Sequence, residues 1–336
     1  MAIALTTDRS STFTERDVRK GVIDMIAMDT PVTSTLVKKG PKPLETTPEW
    51  ELKTYGSPSK SGTIEGATPS FSNNLANKYM LKGRFIKQSR NVAVTKEMQL
   101  LGNQYNRPDA LADNIKDGIT QLYVDVEFAS LSDDEAVAPV ASTTASEGRG
   151  IARWISNANG RFTDTDTTPT SAARTPTGSI LVSKTNASDI TEAEIAGLIT
   201  SVATTRKKAG MRMMGVCTPL MRDEFDGYSR TDKSYTSSAF PVSRFAQKQG
   251  TIDREVTFYK SSNGTVELLT SFQMDTTAHF LLLSPDMIEL RYAQSVLVNP
   301  DHSTSAQVKE REIDVIYVLE CLNPQAHGKA ITGATA

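Results

Sequence analysis

The chain has 336 residues, more than the roughly 250 to 300 at which a single hydrophobic core stops growing, so two or more folded units are expected. Its 37 Lys and Arg residues nearly balance 39 Asp and Glu residues, and the formal net charge of −2 provides no whole-chain attraction to nucleic acid. The hydrophobic fraction of 38% is low for a globular domain while the charged fraction of 23% is ordinary, which argues against disorder and against a large self-sufficient core.

Membrane insertion and secretion are not indicated. The longest apolar runs, at 280–283 and 315–319, fall far short of the roughly 18 residues that a transmembrane helix requires. The N-terminus has neither a basic start nor a long apolar stretch, so we expect no signal peptide and a protein made in the cytosol. Cys217 and Cys321 have apolar neighbours and no metal-ligand spacing, so we expect reduced core thiols and no cofactor.

Residues 1–50 are predicted to form an N-terminal arm with one short helix. Val18, Val22 and Ile26 share a helical face before four prolines between positions 31 and 48 break the pattern. Residues 52–95 have no sustained helical period and read as extended strand from position 79 onward. We expect a long two-stranded ribbon, polar on both faces, that needs a surface to lie on because such a ribbon is at best marginally stable alone.

Two long amphipathic helices are predicted in the middle of the chain. The first begins at Arg107-Pro108-Asp109, with proline in its first turn, and runs to about Leu131 as a spine with one apolar stripe. The Ser-, Thr- and Pro-rich segment 157–188 reads as a loop or an exposed insertion. The second helix begins near Thr191, in capping-box spacing with Glu194, and ends at 207–210.

Strands dominate the rest of the chain. Residues 211–217 read as a buried strand, followed by a short helix from Thr218-Pro219 to Phe225. Segments 256–260 and 265–270 flank an Asn263-Gly264 turn, which is a strong hairpin signal. Further apolar strands are predicted at 280–283 and 313–322. The fold class is therefore α+β, with mixed sheets and two long helices.

No catalytic motif is recognisable in the sequence. The patterns GxxxxGK[ST], GxGxxG, HExxH and GxSxG do not occur. The three histidines, His279, His302 and His327, have no second ligand at helical or hairpin spacing. An enzyme would need convergent polar residues, for which His279 with Asp275 or Asp286 is the candidate set. The main interpretation is a non-enzymatic protein.

Charge is segregated along the chain. No acid occurs between Glu65 and Glu97, where the bases are Lys78, Lys82, Arg84, Lys87, Arg90 and Lys96. No base occurs between Lys116 and Arg149, where the acids are Asp117, Asp125, Glu127, Asp133, Asp134, Glu135 and Glu147. This pattern suggests that the basic ribbon of one subunit lies across the acidic spine of another, with each exposed ion pair contributing about 0 to 1 kcal/mol.

Two other interpretations of the charge pattern stay open. The basic and acidic segments are alternatively two unrelated solvated surfaces. Basic strands that grip nucleic acid are less favoured, because Phe71, Tyr79 and Phe85 lack the close spacing of a base-stacking platform.

Seven local patterns occur in order along the chain: IAMDTP at 26–31 followed by Ser34, PEW at 48–50 with EG at 65–66, the stretch 84–95, DVEFA at 125–129, RGIARWI at 149–155, LR at 290–291, and ECLNPQAHG at 320–328. These patterns, with the order of the predicted parts, resemble the major capsid proteins of tailed bacteriophages with the Hong Kong 97-type fold. The match covers most of the chain in order. It departs from the family at Val92-Ala93-Val94-Thr95 and in the length of segment 157–188.

The resemblance implies a shell subunit with a defined division of the chain. It implies an N-terminal arm at 1–50, an extended loop at 51–100, a peripheral domain with the spine helix and a Ser/Thr-rich insertion at 101–185, an axial domain at 186–300, and a return to the peripheral domain at 301–336. Copies would form hexamers and pentamers of an icosahedral virion capsid, assembled in the host cytoplasm around double-stranded DNA. No covalent Lys-Asn crosslink is expected.

The same resemblance implies several partners. The N-terminal extension is short, so a separate scaffolding protein is expected, together with a portal and room for a decoration protein. Packaged DNA would contact the inner face without sequence specificity, and no membrane, metal or cofactor is expected. Another polymerising virion protein, such as a tail-tube subunit, is the alternative, because it would also carry a long exchanged loop.

A set of subunit-interface residues follows from these arguments. Trp50 is chosen as an anchor, since a large aromatic residue on a polar arm has no local core to enter; alternatively, it packs under the peripheral domain. Glu65 and Gly66 are expected to form the bend of the ribbon, with glycine allowing positive φ. The complete predicted interface set is Trp50, Glu65, Gly66, Lys82, Arg84, Lys87, Arg90, Asp125, Glu127, Asp133 and Asp134.

Overall fold

The computed structural model describes residues 29–37, 45–56, 58, 60–62, 64–68, 76–97, 110–141, 143–231, 258–274, 277–301 and 307–333. Its helices are α1 (Pro31–Leu36), α2 (Ala110–Leu131), α3 (Ile151–Trp154), α4 (Glu192–Arg206) and α5 (Pro219–Thr231). Its strands are β1 (Glu49–Tyr55), β2 (Ala76–Lys82), β3 (Ile86–Thr95), β4 (Ile180–Leu181), β5 (Met211–Cys217), β6 (Phe258–Ser261), β7 (Gly264–Thr270), β8 (Ala278–Leu283), β9 (Ile288–Val298), β10 (Val308–Cys321) and β11 (Gly328–Ile331).

The α+β class is confirmed, and two predictions lie outside the described residues. These are the helix proposed for residues 18–26 and the start of the spine at 107–109. Within the described part of the chain, the spine helix α2 ends at Leu131 as expected.

Strands β1 and β2 form an antiparallel ribbon, from the pair Glu49 and Lys82 to the pair Tyr55 and Ala76. The expectation that both ribbon faces are polar is wrong. Side chains alternate between the faces of a strand, and one face carries the apolar cross-strand pairs Trp50/Leu81 and Leu52/Tyr79. The expectation of one continuous strand over 79–95 is also wrong, because β2 ends at Lys82 and β3 joins another sheet.

The first structural unit consists of α2 packed on the three-stranded antiparallel sheet β3-β10-β9. The helix approaches the sheet closely at Gly118, where a Cβ atom would lie 2.8 Å from Cδ1 of Ile313 and 3.3 Å from Cγ2 of Val92. Glycine therefore lets the helix axis approach the sheet. The core between helix and sheet includes Leu122, Val126, Ile313, Val315 and Tyr317.

The second unit is built on the six-stranded mixed sheet β4-β11-β8-β5-β7-β6. Helices α4 and α5 cover one face over a core that includes Ile199, Phe225 and Phe280. Alternate residues of the same strands, such as Val216 and Leu281, point to the other face and join the core of the first unit. Buried residues thus form two clusters, and this sheet lies between them.

Local sequence signals predicted several boundaries well. Thr191 and Glu194 form a reciprocal capping box at the start of α4, and Lys207 ends that helix with φ of 51°. The Asn263-Gly264 turn joins β6 and β7 as predicted. Helix α5 continues past Phe225, and strand β9 was not predicted.

The segment 157–188 is not an exposed insertion, which corrects the sequence-based expectation. It contains short 3₁₀ turns at 159–161, 171–173, 177–179 and 187–189. Thr175 is fully buried and donates from Oγ1 to the Pro324 carbonyl oxygen at 2.8 Å. Small residues with hydroxyl groups can pack here because neighbouring backbone carbonyls accept their hydrogen bonds.

The close contact at Gly118 generates a stability prediction. Gly118→Val is expected to destabilise the folded chain by about 1 to 3 kcal/mol, because the added methyl groups would overlap Ile313 and Val92. The matched control is Gly197→Val in α4, where nothing lies within 4 Å of a Cβ atom and little change is expected. Urea unfolding of the unassembled protein measures both, and equal stabilities for the two variants would contradict the packing account.

Candidate subunit-interaction site

The basic strand β3 lies on the acidic spine of its own chain. Arg90 donates from Nε and Nη2 to the two carboxylate oxygens of Asp125, at 2.6 and 2.7 Å. The Gln88 amide adds a hydrogen bond to the Asp125 carbonyl oxygen. The hydrogen bond to the Asp125 carboxylate raises the pKa of Arg90. The predicted attraction between these two segments therefore acts within one subunit, although both side chains remain partly exposed.

Two further lysines of the predicted interface also have partners within the chain. Lys87 lies 3.3 Å from a carboxylate oxygen of Glu312 and 3.7 Å from one of Asp314, both on β10. Lys82, at the base of the ribbon, lies 2.5 Å from Glu49, and the hydrogen bond to Glu49 raises the pKa of Lys82. Both lysine side chains are 40% exposed or more, so their contact with another subunit stays a prediction.

Arg84 is buried, which corrects the expectation that it pairs with a neighbouring subunit. Its side chain is 6% exposed, and its Nε and Nη2 atoms lie 3.0 and 2.9 Å from Oδ2 of Asp164. Nη2 is also 3.4 Å from Oδ2 of Asp166. Arg84 follows the end of β2, so this ion pair attaches the base of the ribbon to the 157–188 segment.

Asp133, directly after the spine helix, is a junction of three cationic side chains of the same chain. Its carboxylate pairs with Arg161, lies 4.0 Å from Nη1 of Arg153 and lies 3.8 Å from Nζ of Lys329. Burial, together with the nearby positive charges of Arg161 and Arg153, lowers the pKa of Lys329 to about 7. Asp134 is exposed, and its carbonyl oxygen accepts a hydrogen bond from the Gly150 amide.

Glu127 is fully buried and joins three separate parts of the chain. Its Oε2 accepts hydrogen bonds from the backbone amides of Val32 and Thr33, each at 3.3 Å, and from the Thr33 hydroxyl at 3.2 Å. Its Oε1 accepts from the Ser271 hydroxyl at 2.7 Å. The carboxylate thus caps α1, whose N-cap Thr30 makes no side-chain cap bond, and also ties the end of β7 to the spine.

Desolvation raises the pKa of Glu127, while its hydrogen bonds to Ser271, Thr33 and Val32 act in the opposite direction. Because the side chain has no exposed surface in its own chain, it does not contact another subunit directly. The interface role predicted for Glu127 is therefore corrected to an internal one.

Trp50 packs into the core of its own chain rather than standing free on a polar arm. Its indole ring lies 6.0 Å from the Trp154 ring, measured between centroids, and its Nε1 donates to the Cys321 carbonyl oxygen at 3.1 Å. These contacts lie within one subunit, as in the alternative interpretation that Trp50 is an ordinary packing residue. The anchor role in a subunit contact stays untested.

Glu65 and Gly66 form an exposed turn in the ribbon loop. Gly66 has φ of +80°, a conformation that glycine adopts without strain, and the amide of Ala67 donates to the Ile64 carbonyl oxygen. The predicted bend is therefore present at these residues. Their contact with another subunit is not tested by a single chain.

Of the candidate enzyme residues, His279 has structural partners and Asp286 is exposed. Nε2 of His279 lies 2.8 Å from the Lys184 carbonyl oxygen and 3.2 Å from the Thr332 hydroxyl. Asp275 and His302 lie outside the described residues. Burial lowers the pKa of His327 to about 4, and its Nδ1 accepts a hydrogen bond from the Ser284 amide.

Neither a metal cluster nor a membrane span is found in the described part of the chain. No group of three His, Cys, Asp or Glu side chains there is close enough to hold a metal ion. No helix among the same residues has the length and apolar character needed to cross a bilayer.

Sequence reasoning missed the two acids that neutralise the buried Arg84 and Arg149. Asp164 pairs with Arg84, and Glu135 accepts hydrogen bonds from Arg149 and Arg153. The available signal was weak, since Asp164 is the first acid in a long Ser/Thr-rich segment and Glu135 is one of three consecutive acids. Neither position shows from sequence alone which arginine it meets.

A family model and several solved structures match this chain. The family model described as SU10 major capsid protein matches residues 5–335. No curated protein matches the chain. A solved chain of Gordonia phage Cozz is 13% identical, with a TM-score of 0.59 over 98% of this chain and 95% of that one.

Two further solved structures have the same fold. The capsid of the cyanophage P-SCSP1u is 11% identical, with a TM-score of 0.61 over 97% of this chain and 94% of that one. The mature capsid of bacteriophage PhiM1 is 9% identical, with a TM-score of 0.56 over 95% of this chain and 92% of that one. At these identities the similarity establishes the fold.

The buried carboxylate at position 127 generates a second prediction. Glu127→Ala leaves four buried donors without an acceptor, and we expect it to destabilise the folded chain by about 3 kcal/mol. Glu127→Gln keeps one oxygen for α1 and an amide that can donate to Ser271, so a loss of about 1 kcal/mol is expected. Urea unfolding separates the two variants, and equal losses would refute the hydrogen-bonding account.

Comparing the wild type with Glu127→Gln by urea unfolding at several pH values tests how the buried carboxylate makes stability depend on pH. Because the folded-state pKa of Glu127 is raised above its ordinary value of 4.5, the folded protein retains this proton to a higher pH than the unfolded chain. The stabilisation contributed by Glu127 is therefore expected to fall as pH rises from the ordinary pKa of 4.5 towards the higher folded-state pKa. Glu127→Gln does not titrate, so its stability should not show this fall.

The contrast between Arg84 and Arg90 generates a third prediction. Arg84→Glu would bury a carboxylate beside Asp164, and we expect a loss of about 3 to 5 kcal/mol in unfolding free energy. Arg90→Glu alters a half-exposed pair and is expected to cost about 1 kcal/mol or less. If chemical denaturation found the Arg84 variant as stable as the wild type, the buried-pair assignment would be incorrect.

Proposed function

The chain belongs to the SU10 major capsid protein family, and from this premise we propose that its copies assemble as hexamers and pentamers that close into an icosahedral shell around double-stranded DNA. The family role is structural: a major capsid protein self-associates to form the head shell of the virion. The main support for this proposal is the match of the family model over residues 5–335, because that range includes every described helix and strand. The family model that matches describes a major capsid protein, and not the tail-tube subunit that was the alternative.

The ribbon is the element we propose to contact a second copy. Its base is seated on its own chain through Trp50 and Leu81, whereas Tyr55 is 71% exposed, Met80 is 53% exposed and Ile64 is 81% exposed. An isolated two-stranded ribbon is marginally stable, so a partner surface would stabilise the part beyond its base.

The charges of the ribbon suggest which surface it meets. Lys53 and Lys78 lie directly opposite each other across the two strands, and Glu51 of the same ribbon lies 3.0 Å from Nζ of Lys78. A carboxylate from another subunit would further offset the two opposed positive charges. On the spine, Asp125 is engaged by Arg90 and Glu127 is buried, while Asp113 and Asp117 are exposed one helical turn apart. We place the ribbon lysines of one subunit against these two aspartates of the next.

Further partners follow from the family resemblance. The proposal includes a separate scaffolding protein, a portal, a decoration protein on the outside and packaged DNA held without sequence specificity on the inside. Assembly in the host cytoplasm belongs to the same proposal.

Lys53→Glu tests the ribbon contact without breaking the ribbon. The new carboxylate faces Lys78 within the subunit, so the isolated chain should fold with unchanged helix content. Across the subunit contact it would face Asp113 and Asp117, and losing about 1 kcal/mol per contact corresponds to about a fivefold rise in the concentration needed for assembly.

Sedimentation and negative-stain microscopy measure the yield and shape of the particles. Lys53→Arg is the matched control, because it keeps the charge and should keep the wild-type yield. Normal particle yield from Lys53→Glu would remove the charge argument, and tubes instead of shells from the wild type would remove the capsid proposal.

A further inference from the structure

Segment 157–188 contains an acidic turn whose shape is determined by its own hydrogen bonds. Oδ1 of Asp164 accepts a hydrogen bond from the Asp166 amide at 3.0 Å. The Asp164 carbonyl oxygen accepts hydrogen bonds from the Thr167 amide and the Thr168 hydroxyl. Aspartate favours such turns because its short side chain bonds to the backbone two residues further on. The two carboxylates of this turn therefore have a defined spacing.

The body of the subunit fixes where the acidic turn lies. Arg149 donates from Nη1 to the Thr167 carbonyl oxygen at 2.9 Å and from Nη2 to the Thr167 hydroxyl at 3.2 Å. Nε of Arg149 donates to Glu135, just beyond the end of the spine helix, at 2.8 Å. The Arg149 side chain is 1% exposed, so its packed surroundings hold it in place. The turn is thus attached to the spine through contacts that do not involve the ribbon.

The same turn binds the base of the ribbon through Arg84. Nε and Nη2 of Arg84 both approach Oδ2 of Asp164, and Nη2 also approaches Oδ2 of Asp166. A guanidinium group is planar and its donors point in fixed directions, so these acceptors determine its orientation as well as its position. Because Arg84 lies two residues after the end of β2, its orientation constrains that strand.

The other strand of the ribbon has an attachment of its own. Trp50, on β1, donates from Nε1 to the Cys321 carbonyl oxygen. A Cβ atom on Gly83 would lie 3.2 Å from Cζ3 of Trp50 and 3.1 Å from Cγ2 of Val318, so the ribbon base and the sheet are in close contact here. A single attachment would let the ribbon pivot. Two attachments, one for each strand, determine the direction in which the ribbon leaves the body.

This direction matters because the ribbon is long. The seven paired positions of β1 and β2 extend about 20 Å from the base at the usual rise of a strand. A tilt of about 15° at the base would move the far end by about 5 Å, which is close to the spacing between neighbouring strands. Side chains in contact lie within about 4.5 Å of each other. A ribbon tilted by this amount would therefore lose the contacts made at its far end.

We propose that Arg84 is a positioning residue for assembly: held by Asp164 and Asp166, it sets the direction of the ribbon and thereby presents the ribbon to the next subunit. The inference rests on the proposed contact between the ribbon and a second copy. Apparent affinity falls in proportion to the fraction of molecules that have the binding-competent arrangement. A fixed ribbon direction thus strengthens assembly without adding any contact between subunits.

Arg84→Lys separates ribbon direction from charge. Lysine keeps a positive charge beside Asp164 but lacks the planar fork. Spin labels at Asn77→Cys on the ribbon and Thr120→Cys on the spine, both exposed positions, report the ribbon direction by pulsed EPR in the unassembled full-length chain. The native cysteines are buried and stay unlabelled. We expect one narrow distance distribution with arginine and a distribution about 5 Å broader with lysine.

Assembly is measured on the same substitution without the labels. If about a fifth of the ribbons in the lysine variant point in the competent direction, the protein concentration needed for particles rises about fivefold. Ile199→Val is the matched control for stability, because it removes one buried methyl group from the second core and leaves the ribbon base unchanged. This control should lower the urea midpoint and still form particles at the wild-type concentration.

Asp166→Asn provides a second variant in case the lysine variant does not fold. The Asp166 side chain is 69% exposed, so loss of its charge should leave the urea midpoint close to that of the wild type. Arg84 then retains only Asp164, and we expect a smaller broadening and about a twofold rise in the assembly concentration. Asp166→Glu keeps the carboxylate and should restore both values.

Narrow, wild-type distances in both Arg84→Lys and Asp166→Asn would overturn the positioning role, and so would broad distances with particles at the wild-type concentration. Broad distances in the wild type would also overturn it, because the base would then not fix the ribbon. Equal impairment by Ile199→Val would assign the effect to stability and has the same consequence. If the wild type forms no particles, the proposed assembly fails, whereas the distances still decide whether Arg84 directs the ribbon.

Discussion

The structure depends on one buried carboxylate that three distant parts of the chain share. Glu127 receives hydrogen bonds from α1 of the arm, belongs to the spine helix, and binds Ser271 at the end of a strand of the six-stranded sheet. Removing this side chain from water is unfavourable by itself, and the four donors that surround it compensate. The arm, the spine and the second unit therefore have one relative arrangement in which all these groups are satisfied.

The same rule governs the arginines and determines which charges are left for assembly. Arg84 and Arg149 are buried, and each has a carboxylate partner of its own chain in Asp164 and Glu135. Charges that are satisfied internally hold the ribbon base and the 157–188 segment on the body. Farther along the ribbon the pair of Lys78 with Glu51 stays about half exposed, and Tyr55 and Met80 are exposed. This part of the ribbon is accordingly the surface we assign to a contact between copies.

Sequence reasoning succeeded where the signal is local. The capping box at Thr191, the turn at Asn263-Gly264 and the positive φ of Gly66 were all predictable from a few adjacent residues. It failed where the outcome depends on a distant partner. The basic and acidic segments were correctly identified as complementary, but Arg90 meets Asp125 of its own chain, because β3 leaves the ribbon and joins the sheet under the spine.

The sequence by itself determined the α+β class, the order of the long helices and of several strands, and the resemblance to phage capsid proteins, since these follow from periodicity and from short motifs in a fixed order. Only the tertiary structure decided which charges are internal, that Trp50 packs beside Trp154, and that segment 157–188 is part of the body. The physical reason is that a side chain's burial and its ionic partner depend on residues that are far away in the chain, and a single sequence does not specify those pairings.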